Sequence, residues 1–173
     1  MNHLLGLAVY GAISKELGLP LRWPGKPGAF FGVYQFTDVE LLAKATTWAA
    51  TTPACAGQAF NVSNGDVERW SNLWPRLADF FGTEPGPVQT IRLAEVMADK
   101  EPLWARIVER HGLREYRIGD LAYWPFMDAI YAQDYDHVFS MVKIRKAGWT
   151  EVVDSEEMLL RQLGGLRRDR VIP

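Results

Sequence analysis

The stretch that decides the fold is Gln58-Ala59-Phe60-Asn61-Val62-Ser63-Asn64-Gly65-Asp66. Its first half contains apolar residues, and its second half consists of turn-forming residues. A short apolar run that ends in a dense turn signal predicts a brief buried strand, over residues 59–62, that breaks sharply before the next element. Taken alone, the stretch therefore predicts only a strand and a turn.

A helix with one apolar face follows this turn. The helical face is formed by Trp70, Leu73, Trp74, Leu77, Phe80 and Phe81. Gly82 is a typical helix stop. Because a helix tolerates a proline such as Pro75 only in its first turn, we expect the helix to begin near Ser71 or to be kinked.

Before the central stretch, the sequence predicts two helices and a strand. Residues 2–17 are apolar on nearly every side of a helix, and Leu21–Trp23 is typical of a short strand. Thr37 and Glu40 form a capping box that opens a helix ending before Pro53.

After Gly82, the sequence predicts one more short strand and several helices. The strand covers residues 88–91, and the helices cover 93–97, 102–112, 120–132, 136–148 and a last segment opened by Asp154 with Glu157. The predicted fold class is α+β, mostly α-helical with a small sheet of short strands, in one domain of residues 1–173.

Helix 2–17 is unusual because it lacks a polar face. A helix at a free N-terminus normally exposes one polar side, so we expect a partner to cover this one. The segment is too short, and too interrupted by Lys15 and Glu16, to span a membrane. It also lacks the basic start and small-residue cleavage site of a signal peptide.

Composition excludes several classes of function. The formal net charge is −2 and charged residues make up 23% of the chain, so no electrostatic surface for nucleic acid or an anionic membrane is predicted. The single cysteine, Cys55, excludes an internal disulfide framework and indicates a reducing compartment, the cytoplasm.

Polar residues give few candidates for catalysis. The histidines at 3, 111 and 137 have no metal-type spacing to one another or to Cys55, so we predict no metal site. Asp134, Asp136 and His137 could form an acid–base site, but Asp136 is more simply the N-cap of helix 136–148.

Two segments concentrate aromatic residues outside the clear helices. One contains Phe30, Phe31, Tyr34 and Phe36, and the other is Tyr123-Trp124-Pro125-Phe126-Met127. Core packing accounts for many such residues, but two aromatic loops can also line an apolar pocket. A small hydrophobic ligand is the functional interpretation.

Several segments together carry a resemblance to a known family. They are Ala8–Ile13, Gly18–Gly25, Trp48–Ala50, Ala59–Asp66, Lys100–Trp104 and Val171–Pro173. In this order they resemble the C-terminal half of the progesterone 5β-reductase and iridoid synthase-like branch of the extended short-chain dehydrogenases, in the NAD-dependent epimerase/dehydratase superfamily. The likeness covers essentially the whole chain.

The resemblance implies an oxidoreductase that reduces the carbon–carbon double bond of an enone with hydride from NADPH. In the family, an N-terminal Rossmann domain holds the cofactor, and a Tyr and a Lys stabilise the substrate carbonyl. This sequence has no glycine fingerprint at its start, and none of its tyrosines is followed four residues later by a lysine. We therefore expect residues 1–173 to be the substrate domain, without catalytic or cofactor-binding residues and inactive alone.

By the same resemblance, some substrate contacts are expected in this chain. Met1, Tyr34 and Phe126 match positions that face the substrate in relatives, and Ala129 and Ile130 lie one helical turn after Phe126. The expected substrate is a small apolar carbonyl compound. Helix 2–17 would then contact the missing Rossmann half or form a homodimer.

Two alternatives remain open from the sequence. The chain could be a non-enzymatic module that binds an apolar ligand or a partner protein through its apolar first helix. It could also be a relative of nucleotide-sugar epimerases, because extended dehydrogenases share the strand–turn–helix arrangement.

Overall fold

The computed structural model describes residues 3–173, which form ten α-helices and a two-stranded sheet. This confirms the predicted α+β class with mostly helical content. In chain order the elements are α1 (His3–Glu16), β1 (Leu21–Trp23), α2 (Pro27–Phe31), α3 (Val39–Thr51), a 3-10 turn (Pro53–Cys55), α4 (Trp70–Phe81), β2 (Pro85–Val88), α5 (Leu93–Val96), α6 (Glu101–His111), α7 (Ile118–Leu121), α8 (Trp124–Tyr131), α9 (Val142–Lys146) and α10 (Ser155–Arg168).

Helix α1 is the centre of the main core. It contacts α4, α6, α7, α8, α10 and β1. Leu7, Ala8, Val9 and Ile13 have no exposed surface. A helix that is apolar on all sides is buried when elements surround it completely, as they do here.

Burial of α1 removes the reason for expecting a covering partner at helix 2–17. The apolar surface that motivated this prediction is covered by the chain's own helices. Contact of this helix with a second copy or with a Rossmann half stays a prediction, but an uncovered apolar surface no longer supports it.

Two glycines let other helices approach α1 closely. A Cβ atom on Gly11 would lie 2.4 Å from Cε2 of Phe81 on α4. A Cβ on Gly6 would lie 2.7 Å from Sδ of Met127 on α8. A side chain at Gly11 would overlap the Phe81 ring, and one at Gly6 would require the flexible Met127 side chain to move, so glycine permits the close approach of α4 and α8 to α1.

The small sheet pairs β1 and β2 in parallel, with Leu21 opposite Pro85 and Trp23 opposite Val88. The second strand was predicted at 88–91 but ends at Val88. Beyond Val88 the chain continues alongside β1, and the amide of Gln89 donates to the Trp23 carbonyl at 2.9 Å. Trp74 attaches α4 to this sheet through an Nε1–H···O bond of 2.7 Å to the Leu21 carbonyl.

The prediction of a strand over 59–62 is wrong, because this segment forms no regular secondary structure. Its polar end bonds to several distant segments instead of a neighbouring strand. The amide of Asn64 donates to Phe36 O at 2.8 Å, and its carbonyl accepts from Val153 N at 2.9 Å. Its side chain accepts from Asp38 N at 2.6 Å and donates to Ser155 Oγ at 3.0 Å.

Asp66 completes the link between this stretch and the last helix. Its two carboxylate oxygens accept hydrogen bonds from the backbone N–H and the hydroxyl of Ser155, at 2.8 Å and 2.7 Å. Ser155 is the first residue of α10, and Asp154 caps that helix by accepting from Glu157 N, as predicted. A carboxylate at a helix N-terminus satisfies free N–H groups and complements the helix dipole.

Other helix boundaries differ from the predictions. Asp38 caps α3 by accepting from Glu40 N at 2.7 Å, whereas the hydroxyl of Thr37, the predicted cap, donates to Val62 O. α4 begins at Trp70 and contains Pro75 in its interior. Predicted helix 120–132 is divided into α7 and α8, and α8 has a proline in its first turn. Of predicted helix 136–148, only α9 is helical.

No helix within residues 3–173 is long and apolar enough to cross a lipid bilayer.

Candidate functional site

An aromatic cluster surrounds the first turn of α1. The Nε2 atom of His3 lies 3.0 Å from the hydroxyl oxygen of Tyr131 at the end of α8. The His3 ring packs edge-on against Trp70, the first residue of α4, with ring centroids 5.3 Å apart. Trp70 in turn contacts Tyr34 and Phe36, at 6.0 Å and 5.2 Å between centroids. The cluster therefore joins α1, α4, α8 and the loop before α3.

The titratable groups of this cluster are held neutral. Burial lowers the pKa of His3 from 6.5 to about 4, so its imidazole is uncharged near neutral pH. Burial also raises the pKa of Tyr34, and that of Tyr131 well above its usual value. The surroundings of α1's first turn are therefore apolar and offer neutral hydrogen-bonding groups.

Two cavities flank this turn. The first has a volume of about 320 Å³ and is lined by Leu5, residues 119–123, Phe126 and Met127. The second, of about 290 Å³, lies among His3, Phe36, Trp70 and Met158. Each is at the lower end of the volume range for small-molecule sites, and both are lined mainly by apolar side chains.

The structure places the predicted substrate residues at different locations. Phe126 is half-buried and lines the first cavity. Tyr34 is half-buried in the aromatic cluster, where its backbone forms an isolated bridge with Glu68, and it is not among the lining residues of either cavity. Ala129 is exposed, and Ile130 packs against the main core. Met1 lies outside the described residues.

The acidic residues near His137 do not form an acid–base site. Asp136 was predicted to cap a helix, and this prediction is wrong, because α9 begins only at Val142. Its Oδ1 instead accepts from Val33 N at 2.8 Å, and the amide of His137 donates to Val33 O at 2.8 Å. The His137 ring stacks on Tyr135, and its buried Nε2 has no hydrogen-bond partner among the described residues.

The glycine-containing segment at the start of α2 is packed against the end of α8 and the loop that follows α8. A Cβ on Gly25 would lie 2.4 Å from the Tyr131 carbonyl, and one on Gly28 would lie 1.5 Å from Oδ1 of Asp134. The chain itself therefore fills the space beside both glycines, and the carboxylate of Asp134 would repel a phosphate at this place. In residues 3–173 no cluster of three His, Cys, Asp or Glu side chains could hold a metal ion.

Sequence reasoning did not find His3 and Tyr131 as partners. They are 128 residues apart, and neither belongs to a recognisable motif. The only local signal is a histidine in an otherwise apolar helix turn, which by itself says nothing about what it contacts. The arrangement can hold an apolar molecule and orient one polar atom, but no charged group of the cluster is available for proton transfer.

Comparison with known proteins gives consistent relatives along the whole chain. No protein-family profile matches it. All of the chain aligns with a protein named (S)-8-oxocitronellyl enol synthase from Nepeta cataria, at 38% identity over 179 residues. It also aligns with the enol synthase of Camptotheca acuminata at 32% identity and with the 3-oxo-Delta(4,5)-steroid 5-beta-reductase of Arabidopsis thaliana at 31% identity. The chain spans 45% of the length of each of these three relatives.

Proposed function

We propose that this chain, which is homologous along its entire length to iridoid synthase and progesterone 5β-reductase-like proteins, is the substrate-binding part of an NAD(P)H-dependent enone reductase. The homology over the whole chain carries this proposal. The name of the Arabidopsis relative describes reduction of a 3-oxo steroid that has a carbon–carbon double bond beside its carbonyl. The name of the Nepeta relative describes formation of an enol.

Both names fit one reaction class. When hydride adds to the β-carbon of an enone, the electron pair of the double bond moves toward the carbonyl, and an enol or enolate results. In the family that this chain resembles, NADPH supplies the hydride. The role that we assign to this chain is to bind the apolar body of the substrate and exclude water from it.

The geometry of the first cavity supports this role. Phe126 and Met127 of α8 line it together with Leu5 of α1. A wall on buried helices keeps its shape more precisely than a loop does. We propose Phe126 as the main substrate contact in this cavity. Tyr34, Met1, Ala129 and Ile130 stay proposed contacts on the family resemblance alone, since Tyr34 lies in the aromatic cluster and lines neither cavity.

The chain alone should not reduce an enone. Hydride transfer requires a bound nicotinamide, and we propose that a separate Rossmann domain holds it. The test incubates the chain with NADPH and a small enone and follows NADPH absorbance. Robust turnover by the chain alone would refute this part of the proposal. A chimera that joins the chain to the N-terminal half of a Nepeta enol synthase should show turnover.

Replacing Phe126 tests the site itself. In an active chimera, Phe126→Ala should raise KM about tenfold or more, because it removes an aromatic contact of a few kcal/mol with the substrate. Phe80→Ala is the matched control, since Phe80 is also half-buried but packs on Arg167 of α10. Equal KM values for the two variants would contradict the placement of the substrate beside Phe126.

A further inference from the structure

A third cavity lies toward the C-terminal end of α1, away from the aromatic cluster. Its volume is about 150 Å³, and its lining includes Tyr10, Ile13, Ser14, Arg22 and Met97. Tyr10 is seven residues after His3, which places it about 10 Å further along the helix. The residues of this cavity are not shared with either cavity of the candidate substrate site.

Exposed apolar side chains border this cavity. Leu17, Leu19 and Val96 belong to its lining and are 44%, 39% and 41% exposed. The interior beyond them is apolar, with Ile13 fully buried and Met97 5% exposed. Exposed apolar residues gathered at the opening of an apolar cavity are typical of a site for an apolar ligand.

Arg22 lines the cavity, and its charge acts on the neighbouring Tyr10 side chain. Arg22 is half-buried, and it forms no ion pair with any carboxylate of residues 3–173. The other cation of the lining, Lys100, is already paired with Asp99. A partly desolvated guanidinium favours an anion with two oxygens, to which it can donate two parallel hydrogen bonds.

Neutral polar groups complete the lining. The Tyr10 hydroxyl donates to the Arg22 carbonyl at 2.8 Å. Burial raises the pKa of Tyr10 to about 12. This effect is larger than the opposite effects of the hydrogen bond with Ser14 and the charge of Arg22, which both lower the pKa. Tyr10 therefore stays protonated, and a bound anion meets no second negative charge from it.

We propose that this cavity binds a small monocarboxylate, with its carboxylate on Arg22 and its short apolar chain against Ile13 and Met97. One unpaired cation matches a singly charged carboxylate better than a phosphate ester, whose charge is larger. The cavity volume equals about five water molecules at liquid density, which suits a chain of roughly six carbons. This site is independent of the proposed reductase function.

The test is a calorimetric titration of the full chain with hexanoate. We expect saturable binding of one hexanoate per chain. Hexan-1-ol and hexylamine, which have the same tail without the negative charge, should bind at least about tenfold more weakly, because a charge-assisted hydrogen bond is lost.

Two variants with matched controls locate the site. Arg22→Gln should weaken hexanoate binding about tenfold or more, whereas Arg106→Gln, at an exposed arginine of α6, should not change it. Leu17→Trp should block the opening, and Leu42→Trp, at an equally exposed leucine of α3, should have no effect. Circular dichroism of each variant verifies folding, and Leu17→Trp keeps the test valid if Arg22→Gln does not fold.

Three results would overturn the proposal. The first is the absence of saturable hexanoate binding in the millimolar range. The second is equal binding of hexanoate and hexan-1-ol, and the third is binding that survives both Arg22→Gln and Leu17→Trp.

Discussion

Asn64 shows how a single residue organises several segments of this protein. Its side chain is fully buried and bonds to the backbone before α3 and to the first residue of α10. The Ser-Asn-Gly-Asp sequence predicts a turn, and the chain bends at Gly65, where glycine accepts the positive φ of 105°. The sequence could not indicate which groups Asn64 would bond, since its side-chain partners Asp38 and Ser155 are 26 and 91 residues away.

Asn64→Ala should lower the free energy of unfolding by about 3 kcal/mol, because it leaves the buried Asp38 N–H and Ser155 hydroxyl with fewer partners. Urea denaturation followed by tryptophan fluorescence measures this loss. The control is Asn72→Ala on the exposed side of α4, for which we expect a change within about 0.5 kcal/mol. Similar losses for both variants would contradict the role of Asn64.

His3 should make stability depend on pH. Its pKa is about 4 in the folded chain and 6.5 when unfolded. Between these values the unfolded state binds a proton that the folded state does not. Stability from the neutral imidazole is therefore complete above pH 6.5 and is lost as pH falls to about 4. Because His3 is half-buried, we expect a loss of about 1–2 kcal/mol.

His3→Gln should remove this contribution while retaining a hydrogen-bonding group near Tyr131. Unfolding free energies of both proteins are compared at about pH 7 and about pH 4, so that the shared effect of the carboxylates cancels. Asn72→Ala, at an exposed position of α4 that carries no titratable group, should keep the pH dependence of the unchanged protein. An unchanged pH dependence in His3→Gln would refute the assignment.

At the scale of elements, local signals predicted helix ends better than strands. Gly82 and Gly112 end α4 and α6 with φ of 64° and 59°, and Asp154 caps α10, as their residue types indicate. Predicted helix 136–148 failed because the Asp136 carboxylate bonds to Val33, 103 residues earlier, and no local pattern reveals such a partner. The first cavity is lined by Phe126, which the family resemblance had indicated, whereas the contribution of Leu5 to its lining depends on helix packing.

The packing of α4 on α1 is testable at Gly11. Gly11→Ala should destabilise the fold by about 1–3 kcal/mol, because the new methyl group overlaps the Phe81 ring. Gly119→Ala is the control, since Gly119 is also helical and has open space beside it, and it should be neutral or slightly stabilising. In the double variant Gly11→Ala with Phe81→Leu, the losses should be less than additive, as a chemical denaturation cycle would measure. Full additivity would contradict the contact.

At the scale of the whole molecule, one core joins elements from both ends of the chain. α1 is enclosed by helices that come from the middle and the end of the sequence, and α10 reaches back to Asp66. The class α+β followed from helical periodicity and short strand signals. In the sequence, the central position of α1 is visible only as an excess of apolar residues. This excess predicts a buried helix, but composition does not identify the element that covers it. A partner protein and the chain's own helices are therefore equally compatible with the sequence.

The bonds from Asn64 and Asp66 to Ser155 also have a consequence for folding during synthesis. They connect residues 91 and 89 positions apart, so the central stretch is complete long before its partner is synthesised. At about 5–20 residues per second, a ribosome needs several seconds to make the intervening chain. During that time we expect the polar groups of the stretch to face solvent and the surrounding apolar segments to be accessible to chaperones.

A chain ended after Asp154 reproduces this stage of synthesis. We expect it to be digested by a protease at least about tenfold faster than the full chain, because it lacks α10 and the partner of Asp66. Adding a synthetic peptide of residues 154–173 should restore part of the resistance, whereas the same peptide with Ser155→Ala should restore less. Equal resistance of the shortened and full chains would show that folding does not wait for the last helix. If it does wait, the chain is most exposed to aggregation until residues 155–168 have been synthesised.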